Sequence, residues 1–206
     1  GAIQDYHRGV VVGESTFGKG TVQTVIDLSR FINDPDKVGE LKLTFQKFYR
    51  VTGSSTQNRG VIPDIKLPTA LDPQQFGESA SPSALPWDEI RSTLFQKTPV
   101  INDRVLTDLN KAYAQRLKTD PNLNRLVTDT EEIRQSYLDT KVSLNEAARK
   151  KAMDESQKRK AANGALKTQL SGENKVSASS DLQDLEDEYL REGLFVLGDL
   201  ITTKIG

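Results

Sequence analysis

The sequence contains no cysteine and a single histidine, His7, in 206 residues. These absences exclude disulfides, cysteine nucleophiles, thiolate-bound zinc and histidine-based triads within this chain. His7, between Tyr6 and Arg8, reads as a helix-end residue. Lack of cysteine forbids disulfides but leaves the compartment open. Apolar residues are scarce at 35% while charged ones reach 28%, and mean hydropathy is −0.54. That balance suits thin layers or long helices with much solvated surface better than one thick core. The net charge of −1 gives no electrostatic reason to expect nucleic acid or an acidic membrane as partner. No apolar run is long enough for a membrane span, and no signal peptide or initiating methionine is present. The expectation is therefore a piece of a longer protein, for which a missing signal does not argue against export.

What is present centres on Gly13-Glu14-Ser15-Thr16-Phe17-Gly18-Lys19-Gly20-Thr21-Val22-Gln23. It follows the apolar Val10-Val11-Val12 and leads into a β-branched run from Val22 to Leu28, so it reads as strand, glycine-rich turn, strand. Two chemistries compete for its lysine. Gly13-x-x-x-x-Gly18-Lys19 matches most of a phosphate-binding Walker A loop. Gly20, however, stands where that loop needs Ser or Thr for magnesium, and the following residues favour a strand over the required helix. A degenerate nucleotide-binding loop is thus the weaker alternative. Absence of a thermal shift at millimolar magnesium-nucleotide would remove it.

The other chemistry is a lysine general base serving a serine nucleophile. Lysine acts as a base only if its ammonium gives up a proton near neutral pH, roughly three units below the usual value of about 10.4, or about 4 kcal/mol. Apolar burial supplies such a bias, and Val10 to Val12, Phe17 and Val22 are candidate walls. Gln23, four residues after Lys19, shares its face on a regular strand, and its amide is suited to orient the amine. Ser15 and Thr16 are close in sequence. Thr16 to Lys19 even has Ser-x-x-Lys-like spacing, but that motif works on a helix, which Gly18 and the following strand disfavour.

The pattern Phe-Gly-Lys-Gly-x-Val-Gln at Phe17 to Gln23 resembles the C-terminal processing peptidases, the tail-specific proteases. The resemblance continues through 41–50, Ser55-Thr56-Gln57 and Gly60-Val61-Ile62-Pro63-Asp64. Ala84-Leu85-Pro86-Trp87-Asp88 and the helical remainder look like the C-terminal domain of the long periplasmic members. The resemblance implies a serine endopeptidase with a Ser/Lys dyad, in which Lys19 is the catalytic base and Gln23 positions it. No metal or cofactor is implied. The nucleophilic serine would lie upstream of Lys19 on a segment outside this chain, so these residues alone are expected to be inactive. Implied partners are protein or peptide substrates with exposed C-termini and a possible adaptor protein; the implied location is the bacterial periplasm. The turn at 53–60 is expected to close over the site.

The expected fold class is α+β: a partial, β-rich protease core over residues 1–68, a linker at 69–86, and a mostly α-helical accessory domain over 87–206. Strands are expected at Gly9 to Gly13, Lys19 to Leu28 and Glu40 to Val51, with Leu41, Leu43, Phe45, Lys47 and Tyr49 on one face. Beyond the Pro/Ser-rich linker the apolar period changes to 3.6. Leu106, Leu109, Tyr113 and Leu117 share one face, and a second stripe runs from Leu123 through Leu126, Val127 and Ile133 to Tyr137 and Leu138. Ser143-x-x-Glu146 is read as a capping box, the basic run after it as a solvated face, and 163–180 as flexible. Asp181 to Lys204 is a last helix apolar on more than one side. Trp87 reads as a domain anchor. The competing function for the helices is a non-catalytic interaction module. Apolar strand faces left in water also predict a homo-oligomer, joined through the strands or by exchange of the last helix, which light scattering at low micromolar concentration checks.

Overall fold

Helix α1 (Ala2–Asp5) is capped by Tyr6, His7 follows with a left-handed φ of 54°, and the chain then enters β1 (Val12–Gly13). The computed structural model describes residues 1–31, 38–71, 73–171 and 181–205, without the side chains of 73–74, 159–171, 181–187 and 204–205. β1 pairs in parallel with β4 (Ile65–Lys66), Val12 opposite Ile65. β2 (Thr21–Asp27) pairs antiparallel with β3 (Glu40–Lys47), and a register irregularity sets Val22 opposite Gln46 but Gln23 opposite Thr44.

All three expected strands are shorter than the sequence pattern suggests, because alternation persists where pairing stops. The first keeps only Val12–Gly13 of 9–13. The second stops at Asp27, whose carboxylate accepts from the Ser29 amide at 2.9 Å and starts a 3₁₀ turn, Leu28–Arg30. The third stops at Lys47, after which Tyr49 bridges only Ser55. β4 has no counterpart in the sequence pattern. Asp64 prepares it: its carboxylate accepts from the Val11 amide and the Gln4 side chain, both at 2.8 Å. On β3, Leu41, Leu43 and Phe45 remain 44–54% exposed, so the apolar face of this pair stays in water.

The apolar core lies elsewhere. Ile65 and Leu67 from the β4 segment pack with Ile101 and with Val105, Leu109 and Tyr113 of α3 (Asp103–Thr119). Leu123 and Leu126 of α4 (Pro121–Leu138) and Val196 of α6 (Asp181–Ile205) complete it, with Val10, Val12 and Tyr189 against its edge. Residues on both sides of 69–86 therefore share one core. Each fully buried aliphatic side chain contributes about 1.5–3 kcal/mol. Asp120 both ends α3 and caps α4, accepting from the Asn122 amide at 2.8 Å, while Pro121 takes the first helical position, where its missing N–H costs nothing.

A charged lattice fastens α6 to its neighbours. Arg116 of α3 holds the buried Glu192 carboxylate at 2.6 and 3.0 Å and Asp199 at 2.5 Å. Arg191 reaches back to Asp120 at 2.8 Å.

Several helical details differ from expectation. In α4 the inward positions are Leu123, Leu126 and Thr130, whereas Val127, Tyr137 and Leu138 are exposed; the expected stripe drifts off the contact face. α5 (Glu146–Ser171) is capped by Asn145, whose Oδ1 accepts from the Ala148 amide at 3.0 Å. Glu146 is therefore the first helical residue and not the third, and Ser143-x-x-Glu146 is not a capping box. The same helix continues through 163–171, expected to be flexible; the rest of that stretch, 172–180, lies outside the described residues.

Candidate active site

Lys19 stands on a loop gripped by its backbone carbonyls. The carbonyls of Phe17, Gly18 and Gly20 accept from the amides of Glu78 (2.9 Å), Asn58 (2.7 Å) and Phe48 (3.0 Å). That of Lys19 accepts from the Thr56 hydroxyl at 3.4 Å. The Gly20 amide donates to Oε1 of the fully buried Gln57 at 2.8 Å. Two glycines make this closeness possible. A Cβ on Gly20 would meet the Gln57 nitrogen at 2.7 Å, and Gly18 sits at φ 91° with Asn58 carbonyl carbon 3.0 Å from where a Cβ would be. The turn at 53–60 therefore closes against the lysine loop, in line with what the family resemblance implies.

The Lys19 ammonium donates to Thr21 Oγ1 at 2.8 Å and lies 3.9 Å from the Glu78 carboxylate. It faces a cavity of about 320 Å³ whose lining includes Thr21, Gln23, Thr44, Glu78, Ser81 and Ser83. A more open groove of about 430 Å³ along α3, by Leu106, Asn110 and Ala114, has no comparable set of groups beyond Lys111.

Lys19 and Gln23 are thus brought to one cavity, but their expected direct contact is absent. Among the described residues the amine has no hydrogen bond to Gln23. The Gln23 amide instead donates to Thr44 Oγ1 at 3.3 Å, the residue the register irregularity sets opposite it. Strand β2 begins only at Thr21, so Lys19 precedes the strand on which it was expected to share a face with Gln23. The expected apolar walls are not there either. The Lys19 side chain is 40% exposed, Phe17 57% and Val22 36%, and Val10 and Val12 pack on the core instead. The phosphate cradle is also excluded in form: β2 follows the lysine where a helix is required, and the Gly20 amide is already used by Gln57.

Two lining groups that contact the Lys19 amine escaped the sequence. Thr21 had a signal, since residues two apart on an extended chain share a face. Glu78 had none, coming from a segment read as a linker. That segment holds a short helix α2 (Pro73–Phe76) and a 3₁₀ turn (Glu78–Ala80), and Glu78 also accepts from the Gln57 amide at 3.4 Å. Its far end is fixed at Trp87, whose Nε1 donates to the Ser55 carbonyl at 2.9 Å and whose ring lies 3.5 Å from the Arg59 guanidinium carbon. Asp88 accepts from Lys47 at 2.7 Å and Tyr49 at 3.1 Å. The Lys47 hydrogen bond holds the Asp88 carboxyl below its ordinary value, while desolvation, then the Asp88 bond, pushes the Tyr49 phenol up. Trp87 thus anchors the segment, as expected. Ser81 and Ser83 face each other at 3.1 Å.

Among the described residues no group of three or more carboxylates and histidines is arranged to hold a metal ion, and no helix is long and apolar enough to cross a membrane. Two family models match the sequence. Residues 71–202 match the C-terminal domain of tail specific protease, and residues 1–67 match peptidase family S41. A tail-specific protease of Haemophilus influenzae is 38% identical over 204 residues, 97% of this chain but only 26% of that protein. A carboxy-terminal-processing protease of Bartonella bacilliformis is 38% identical over 76 residues, covering 37% of this chain and 16% of that protein. The chloroplastic C-terminal processing peptidase of Tetradesmus obliquus is 37% identical over 89 residues, 40% of this chain and 18% of that one. The chain spans about a quarter of the length of the relative it matches end to end, and that match is consistent with a bacterial protein. From the pinned lysine loop through to α6, this chain belongs to the tail-specific protease family.

Proposed function

We propose that this chain is the base-bearing part of a bacterial periplasmic serine endopeptidase that processes or degrades proteins chosen by their C-termini. Lys19 is the general base. A serine from elsewhere in the whole protein attacks the peptide carbonyl, its proton passes to the Lys19 amine, and the amine returns it to the leaving nitrogen. Gln23 helps to set the polar face on which the amine lies. The observation that carries this reading is the Lys19 amine facing a cavity beside Thr21 and Gln23, on a loop whose four consecutive carbonyls are all held. Such holding supplies the fixed orientation that proton transfer needs.

The polar surroundings and exposure of Lys19 add a requirement: the enclosure that favours a neutral amine has to form when substrate and the serine-bearing part are in place. The test is Lys19→Ala in the full-length protein, assayed on an unfolded protein substrate. Turnover should fall by about 10²–10⁴-fold with substrate binding near normal. Retention of more than about a tenth of kcat would assign the base elsewhere.

A further inference from the structure

The family pattern at Phe17 to Gln23 leaves the position between Gly20 and Val22 open. Here that position is Thr21, a buried residue with 7% exposure, and its hydroxyl is the hydrogen-bond acceptor for Lys19 at 2.8 Å. We propose that Thr21 is a positioning residue for the catalytic base, holding the Lys19 amine in the rotamer from which it takes a proton. This rests on Lys19 being the base, as proposed above.

Three features carry the inference. First, the contact is direct, whereas Gln23 is turned to Thr44. Second, Thr21 is the first residue of β2, paired with Lys47, while Gly20 before it is held at both its amide and its carbonyl. The hydroxyl is therefore a fixed point, and its branched side chain has few rotamers of its own. Third, the lysine stem is long and flexible and 40% exposed, and among the described residues the one ion pair of its amine is with the Glu78 carboxylate at 3.9 Å. One hydrogen bond to a fixed oxygen selects among many stem conformers. An amine that donates one N–H to Thr21 keeps its lone pair directed away from that oxygen, free to receive the serine proton.

The test uses the full-length protein and three variants, with kcat, KM and thermal midpoint measured for each. Thr21→Val keeps the shape and suits a strand but removes the hydroxyl; kcat should fall about ten- to a hundredfold, the scale of a misplaced catalytic group. KM and the midpoint should stay close to those of the parent. Thr21→Ser restores a hydroxyl and should recover most of kcat. If the valine variant does not fold, Thr21→Ala replaces it, and the alanine–serine difference isolates the hydroxyl. An unchanged kcat without the hydroxyl, or equal losses with and without it, overturns the proposal and leaves Thr21 a strand residue. Lys19→Ala separates the two claims. If it stays active, the base assignment fails and Thr21's role with it. If it is inactive while Thr21→Val is active, only the Thr21 proposal fails.

Discussion

The residues up to Leu67 and those after Ile101 are ordered in different ways. In the first region the buried side chains are mostly polar: Asp5, Thr21, Ser55 and Gln57 are buried, and only Ile65 and Leu67 join the apolar core. In the second, buried aliphatic and aromatic residues on α3, α4 and α6 pack together under a lattice of arginine and carboxylate groups. The first region fixes backbone positions through directional bonds, such as the Arg50 pair to the buried Asp5 at 2.5 Å and 2.9 Å. The second stores stability through area removed from water. Lys19 lies in the first region, so the position of its loop is set by hydrogen bonds, and damage to either region should be separable from damage to the other.

The largest effect is expected in the helical region. Arg116→Ala strands the Glu192 carboxylate, which is 1% exposed, without its partner. Breaking a buried pair from one side costs about 3–5 kcal/mol, comparable to a third or more of a typical domain's stability. Urea unfolding followed by helical circular dichroism should show that loss. A cost under about 1 kcal/mol would mean that water readily reaches Glu192 and that the lattice adds little.

Next comes a break in the strand region. Gly20→Ala places a Cβ 2.7 Å from the Gln57 nitrogen and 2.8 Å from Ser55 Oγ, so the lysine loop or the 53–60 turn has to shift. In the full-length protein kcat should drop about a hundredfold, the penalty for a displacement near 1 Å. The melting of the helices should be almost unaffected. If the helices melt earlier by as much as in Arg116→Ala, the two regions are one cooperative unit and the contrast between them fails.

The same contrast explains what the sequence made legible. Local rules worked where local physics decides: the Asp120–Pro121 helix start, the α3 face and the Lys19 loop were all readable from residue type and spacing. Strand limits were not, because alternation says nothing about whether a partner strand is present, and β1 and β3 end where their partners do. The position of Lys19 in a cavity with Gln23 was accessible, but its real contacts were not. Thr44 is 21 residues from Gln23, and Glu78 lies 59 residues from Lys19 in a stretch whose composition only signals a loop. The α5 start shows a subtler limit, since Ser143 and Asn145 are both good caps and the chain uses the one whose oxygen reaches the Ala148 amide.

The smallest effect concerns one of the contacts that tie the regions together. The Tyr189 hydroxyl on α6 donates to the Pro68 carbonyl, at the junction between β4 and the segment leading to Glu78. Desolvation, then the charges of Glu14 and Tyr113, pushes its ionisation up to about 12. An ordinary tyrosine in the unfolded chain ionises near 10. Because the folded value is the higher, the stabilisation is complete below about pH 10 and is lost as pH rises from there towards 12. Tyr189→Phe removes both the bond and the titration. Its stability should lie slightly below the parent at pH 8, by roughly 1 kcal/mol for one hydrogen bond, and the gap should close between pH 10 and 12. A gap constant across that range would mean that Tyr189 ionises as it does in water, leaving the core around Ile65 and Leu67 and bonds such as that of Asn110 Nδ2 to the Asp64 carbonyl at 3.2 Å to join the helices to the strand region.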